Sequence, residues 1–153
     1  FIQLKLSDTF RLHFYHPELP TLTDHPHNHR YNFTSKILKG QLTNTLYELL
    51  PGATHLMHEE NCQEGFKSDI PPHPCALRPF ARQTYVQGER YFMSHEQFHS
   101  VKTKEETITL LKRGSYQKPL AQVSLPVATA KICPFSHKLS EAYLWEVVRE
   151  MIK

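Results

Sequence analysis

From His27 to Leu38 the chain alternates, and that alternation constrains the fold more than any other feature. Tyr31, Phe33, Ser35 and Ile37 fall on one side, Asn32, Thr34 and Lys36 on the other. A repeat of two is the mark of a half-buried strand, because successive side chains of a strand point to opposite faces. The same parity carries His27 and His29 onto the apolar-leaning face. Lys39-Gly40-Gln41 reads as a hairpin turn, and Gln41 to Leu50 is rich in Thr, Leu and Tyr, as strands are. Arg11 to Tyr15 alternates as well, and Glu18 to Pro26 reads as a loop. Alternation resumes around Gln83–Met93, His99–Lys102, Thr107–Arg113 and Ala121–Val127.

Between these runs, residues 51–80 change character. Pro51-Gly52 and then Pro71, Pro72, Pro74 and Pro79 argue against long regular elements, so this stretch is expected to be an extended, proline-rich insertion with at most short strands. At the end, Ser140 is placed to cap a helix over about 140–152, with Leu144, Val147, Val148 and Met151 at helical spacing. That stripe is expected to pack on the body of the protein or on a second subunit. Many short strands and one terminal helix predict an all-β sandwich or barrel, and 153 residues favour a single domain over 1–153.

Composition narrows the function. With 39% hydrophobic and 22% charged residues, neither a disordered nor a collagen-like chain is expected. No apolar run approaches the roughly 20 residues of a membrane-spanning helix. A net charge of +3, from 18 basic and 15 acidic residues, announces no nucleic-acid surface. Three cysteines without a Cys-x-x-Cys pair argue against a disulfide scaffold, which makes the cytoplasm the expected location. No signal-peptide pattern opens the chain, whose first residue is Phe1. No phosphate-cradling glycine loop is present, and glycine totals only five.

Histidine is the outlier, with eleven copies. Two imidazoles a strand-repeat apart can chelate a divalent ion of the Fe, Zn, Ni or Cu kind, so His27-Asn28-His29 is a candidate metal site. A rival set comprises His55, His58 and Cys62, with His73 and Cys75 following; its spacing matches none of the standard zinc patterns. His25 extends the alternation and is expected at the mouth of the fold. His95 and Glu96 are expected at the surface.

The segment HPHNHRYNFTSKILKG resembles the first motif of the cupin superfamily, with His27, His29 and Gly40 in register. Thr21 stands where that motif opens with Gly, and Phe33 where it carries a metal-binding Glu. Gly88 and His99 match the second motif, while Ser94, Glu96 and Thr103 replace its other residues. The resemblance implies a cupin, jelly-roll β-barrel with a C-terminal helix, and a metal set of His27, His29 and His99. A three-histidine set is similar to that of the thiol dioxygenases, cysteine dioxygenase among them. Leu38 to Tyr47 and Phe98-His99-Ser100-Val101 are similar to the corresponding segments there. Fe(II) is the ion so implied, with Zn, Ni or Mn as alternatives. The activity implied is a dioxygenase acting on a small polar or thiol substrate. A non-catalytic cupin holding a metal or small ligand, and a cupin isomerase, are the alternatives.

For an anionic substrate Arg11 is the first candidate cation, since its planar fork pairs with carboxylate. Arg11, His13 and Tyr15 share one face of their strand and Leu12 and Phe14 the other; parity does not choose which face is interior. Tyr31 shares the face of His29. Arg11, His13, Tyr15 and Tyr31 are thus the candidate substrate-binding residues. Tyr47 and Tyr91 are the candidate hydrogen-bond donors to oxygen or substrate, the alternative being that each only packs. The expected partner is a small molecule rather than nucleic acid or membrane, with a homodimer open through the helix stripe.

Overall fold

The computed structural model describes residues 1–17, 19, 25–60, 70–104, 106–128 and 140–153, the side chain of Glu60 aside. In chain order the elements are β1 (Ile2–Lys5), β2 (Phe10–Tyr15), β3 (Tyr31–Lys39), β4 (Gln41–Glu60), β5 (His73–Val86), β6 (Arg90–Met93), β7 (Phe98–Lys102), β8 (Thr107–Tyr116), β9 (Ala121–Pro126) and α1 (Glu141–Met151). The fold is mostly β, with one C-terminal helix, and the strand pairings are antiparallel. One sheet has the order β1-β2-β8-β3-β6. The other has the order β5-β4-β7, and β9 pairs with the far half of β4. No described helix is long and apolar enough to cross a membrane.

β3 realises its alternation residue by residue: Tyr31, Phe33, Ser35 and Ile37 are buried. Tyr31, Phe33 and Ile37 join Tyr15, Leu42, Tyr91, Met93, Val101 and Leu111 in a core drawn from both sheets. The β3–β4 turn needs a positive φ of 75° at Gly40, where a Cβ would collide with the Glu106 carbonyl oxygen. Gly88, the second glycine of the resemblance, also holds a positive φ, 92°, in the turn between β5 and β6. The alternation expected to run unbroken from Gln83 to Met93 is therefore cut there. Its two halves lie in different sheets.

The second face of the first sheet is covered by α1. Val147, Val148 and Met151, with Leu144 beside them, pack on Ile2, Phe14, Leu19 and Ile108. Ser140 caps the helix by accepting from the Tyr143 amide at 3.3 Å, and Lys39 Nζ donates to the Met151 carbonyl at 2.8 Å. This packing settles the parity of β2. Leu12 and Phe14 face the helix, so Arg11, His13 and Tyr15 face the interior shared by the two sheets.

The reading of 51–80 as an extended insertion is corrected. β4 continues through Pro51 to Glu60, and β5 begins at His73 with Pro74 and Pro79 inside it. A bulge absorbs the punctuation: Leu50 pairs with Ala76 and the next pairing is His55 with Cys75. Among the described residues β5 pairs only with β4, and an edge strand tolerates proline because its outward N–H groups need no partner. Residues 61–69, Cys62 among them, and Cys133 lie outside the described residues.

Candidate metal centre

His27, His29 and His99 converge from distant parts of the sequence. The backbone does the positioning: His27 and His99 exchange hydrogen bonds, each N–H donating to the other's carbonyl at 2.9 Å. Residues 26–28 also bond β9, through Asn28 N–H to the Gln122 carbonyl and Ser124 N–H to the Pro26 carbonyl. The Asn28 side chain locks the same edge, donating to Gln122 Oε1 at 2.9 Å and accepting from the Gln122 amide at 2.8 Å. Directly opposed strand residues point to the same face, so the pairing puts His99 beside His27, and alternation adds His29.

One nitrogen from each ring lies within 4.8 Å of the others, and this is the only group of three or more potential ligands among the described residues. His29 Nε2 and His99 Nε2 are 2.8 Å apart. Two nitrogens bound to one ion at about 2.1 Å stand roughly 3.0–3.4 Å apart between octahedral and tetrahedral angles. Metal binding through these two nitrogens asks a small outward turn of the rings and the departure of the proton between them.

The remaining ring nitrogens fix the tautomers. His99 Nδ1 donates to Asn44 Oδ1 at 2.9 Å, and His27 Nδ1 donates to the His25 carbonyl at 2.9 Å. Both leave Nε2 bare, with a lone pair for a metal, which is how outer partners orient ligating imidazoles. In the metal-free protein the proton shared by His29 and His99 therefore belongs to His29. Burial lowers the pKa of all three rings. Neighbouring imidazoles push His29 and His99 further down, while the bond to the His25 carbonyl partly opposes the shift at His27. The trio is neutral at neutral pH, the form that ligates.

Phe33 occupies the place where the resemblance carries a Glu. It is 3% exposed, with its ring centroid 4.7 Å from His29 and 6.0 Å from His99. It is an apolar wall, not a ligand. Three protein donors leave coordination positions open to other molecules.

Tyr31 is buried with its ring 5.9 Å from His29, and its hydroxyl accepts from Arg11 Nη1 at 3.1 Å. Arg11 Nη1 also donates to Gln3 Oε1 at 3.3 Å, which stands 3.2 Å from His13 Nε2. Burial, then the charge of Arg11, lowers the His13 pKa to about 4. Tyr15 is buried and its phenol is pushed far up by desolvation. Tyr91 is buried against Phe33 at 6.0 Å, its pKa raised to about 12 by burial against the effect of its hydrogen bond with Ser35.

Tyr47 is the correction among the candidate catalytic residues. It pairs with Phe98, whereas Leu46 pairs with His99, so Tyr47 points away from the trio. Its hydroxyl meets Ser100 Oγ at 3.0 Å, and its ring packs with Met57, Cys75 and Phe98. An open cleft of about 940 Å³ lies there, lined by Asn28, Tyr47, Phe98 and Lys118 among others and by none of the three histidines. The rival zinc set does not converge among the described residues: Cys75 pairs with His55 across β4 and β5, and its thiol meets Ser124 Oγ at 3.7 Å. His25 contributes its carbonyl rather than its ring. His95 is half-buried on Asn32, while Glu96 is exposed.

Sequence reasoning missed Asn44. It had a signal, a polar residue between Leu42 and Leu46 on the face those leucines bury.

No protein-family model and no curated protein matches this chain. Among solved structures, a hydroquinone 1,2-dioxygenase from Sphingomonas sp. TTNP3, with 4-hydroxybenzoate bound, is similar over 72% of this chain, with a TM-score of 0.42 and 12% identity. The similarity covers 63% of that enzyme's chain, less than two thirds of its length.

Proposed function

We propose that this chain is a cupin that holds one divalent metal, Fe(II) first, on His27, His29 and His99, and that it is a dioxygenase of a small polar or thiol substrate. The observation that carries the reading is the convergence of three neutral imidazoles within 4.8 Å, two of them with their outer nitrogens already tied. Sites with three protein ligands and open positions suit substrate and O2 together. The ion, when bound, supplies the redox partner for O2 and a Lewis acid for a thiolate.

The chain's own residues do the rest. Asn44 and the His25 carbonyl hold the ligand rings in orientation. Phe33 and Tyr31 wall the site and exclude water on the His29 side. Arg11 stands behind Tyr31 as a fixed positive charge that orients an anionic group. His13, neutral above about pH 4, adds a polar atom without a competing charge.

The test is elemental analysis of protein purified without a tag or chelator, beside His99→Ala, followed by oxygen uptake with small thiols. Near-stoichiometric iron that vanishes in the variant, with one O2 consumed per thiol converted to a sulfinic acid, is the expected result. Zinc or nickel held by the same histidines without oxygen uptake replaces the dioxygenase with a non-catalytic metal-binding cupin. No metal in either protein after anaerobic Fe(II) addition overturns the reading.

A further inference from the structure

β4 turns Leu42, Asn44 and Leu46 towards the core and the metal centre, so Thr43 and Thr45 face outward. Register carries the neighbouring strands along. Thr43 opposes Thr84 of β5 and Lys102 of β7, and Thr45 opposes Arg82 of β5; directly opposed residues share a face. Thr43, Arg82, Thr84 and Lys102, with Gln41 and Lys104, line a cradle of about 290 Å³. It holds three cations and no carboxylate. None of Arg82, Lys102 and Lys104 forms an ion pair among the described residues. The acidic residues of the flanking segments are engaged elsewhere: Glu48 with Arg78, Glu89 with the Val86 amide and Glu106 with Lys39. The floor is made of hydroxyls, with Thr43 Oγ1 and Thr84 Oγ1 2.8 Å apart.

Like charges gathered across the strands of a sheet weaken it, and a bound anion removes that cost. A phosphate monoester meets the cradle on three counts. It carries about 1.5–2 negative charges at pH 7, where a carboxylate carries one and leaves two of the three cations unmet. Its three acceptor oxygens point in different directions, and the cations arrive from β5 on one side and from β7 and the residues after it on the other. A hydrogen-bonded pair of hydroxyls shares one proton, so the second proton of Thr43 and Thr84 is free to donate to an oxygen. Arg78, the preceding arginine of β5, is already paired with Glu48, so the uncompensated arginine charge on this strand is confined to Arg82. The site is sized for one phosphoryl group rather than for a polymer backbone.

We propose that Arg82, Lys102 and Lys104, with the Thr43–Thr84 hydroxyl pair, bind the phosphoryl group of a small phosphorylated molecule. The cradle lies on the opposite face of β4 and β7 from Asn44 and His99, so it is a second site and stands apart from the metal centre.

The experiment is an amide chemical-shift titration of the full chain, ¹⁵N-labelled and free of metal, so that phosphate cannot answer by ligating an ion at the histidines. The probes are glycerol 3-phosphate, inorganic phosphate, sodium acetate and sodium chloride at equal ionic strength. Glycerol 3-phosphate is expected to shift the amides of Thr43, Thr84 and Lys102 in a saturable way where chloride does not, and to bind at least as tightly as inorganic phosphate. Arg82→Gln and Lys102→Gln, both at exposed positions, are each expected to weaken it about three- to tenfold. Lys36→Gln, which removes one exposed charge from the other sheet, is expected to leave it unchanged. Shifts no larger than chloride's, shifts confined to other strands, or an affinity unchanged in both Arg82→Gln and Lys102→Gln overturn the site. Acetate binding as tightly as the ester overturns the phosphoryl assignment. Inorganic phosphate binding tenfold tighter than the ester, or a single-stranded DNA oligomer binding a hundredfold tighter through the same residues, overturns the small phosphorylated molecule as the ligand.

Discussion

Asn44 sits on the buried face of β4 with its Oδ1 on His99 Nδ1, and at the residue scale this one contact sets what His99 can do. Without it the ring is free to turn or to protonate Nε2. Asn44→Leu is therefore expected to lower metal affinity about 10–100-fold with the fold retained, as measured by competition with a chelator. His13 makes a second residue-scale prediction. Its pKa is depressed from 6.5 to about 4, so the unfolded chain binds the proton first as pH falls. The stability it contributes is complete above pH 6.5 and is lost progressively towards pH 4, with roughly 2 kcal/mol gone by pH 5. The buried trio shifts in the same direction, so the measurement is the difference between wild type and His13→Gln in urea midpoints at pH 7.5 and pH 5, both metal-free. A wild-type midpoint that falls no further than the variant's contradicts the assignment of the loss to His13.

Elements carry different duties on the two faces of the first sheet. The inner face holds the site, and the outer face holds α1, where Met151 is fully buried. Met151→Ala is expected to cost about 2–5 kcal/mol of unfolding free energy. It should leave metal stoichiometry unchanged, because the sheet stands between the cavity it makes and the histidines. At the β3–β4 turn, Gly40→Ala is expected to cost about 2–5 kcal/mol, summing the left-handed backbone and the clash with Glu106, as read from denaturant unfolding. Much at this scale was legible in advance. The strand β3, its turn and the capped helix all follow from local rules, since a period of two, a glycine and an N-cap serine act within a few residues. The β4–β5 hairpin was not legible, because prolines that break an isolated strand are tolerated on an edge and a bulge absorbs the break, and a local window sees neither.

At the scale of the whole molecule, the histidine site ties residues 25–29 to β7, and the same backbone segment ties β7 to β9. An ion bound there favours the folded state alone, since the unfolded chain keeps its ligands far apart. At one hundred times the dissociation constant the gain is about 2.7 kcal/mol, or roughly 5–10 °C in melting temperature for a chain of this size. Differential scanning calorimetry with and without chelator is expected to show that shift in wild type and to lose it in His99→Ala.

His27 and His29 were legible as a pair because alternation places them on one face, and the resemblance to cupins added His99 from some 70 positions away. The sequence alone thus determined the strand-rich class, the terminal helix and the ligand types. Tertiary structure decided which face of β2 is interior, because only the docking of α1 on Phe14 distinguishes two faces that are both apolar enough to bury. It removed Tyr47 from the site, through a pairing that sets Leu46 and not Tyr47 beside His99. Those outcomes depend on contacts between segments distant in the chain, whose partners no local pattern names.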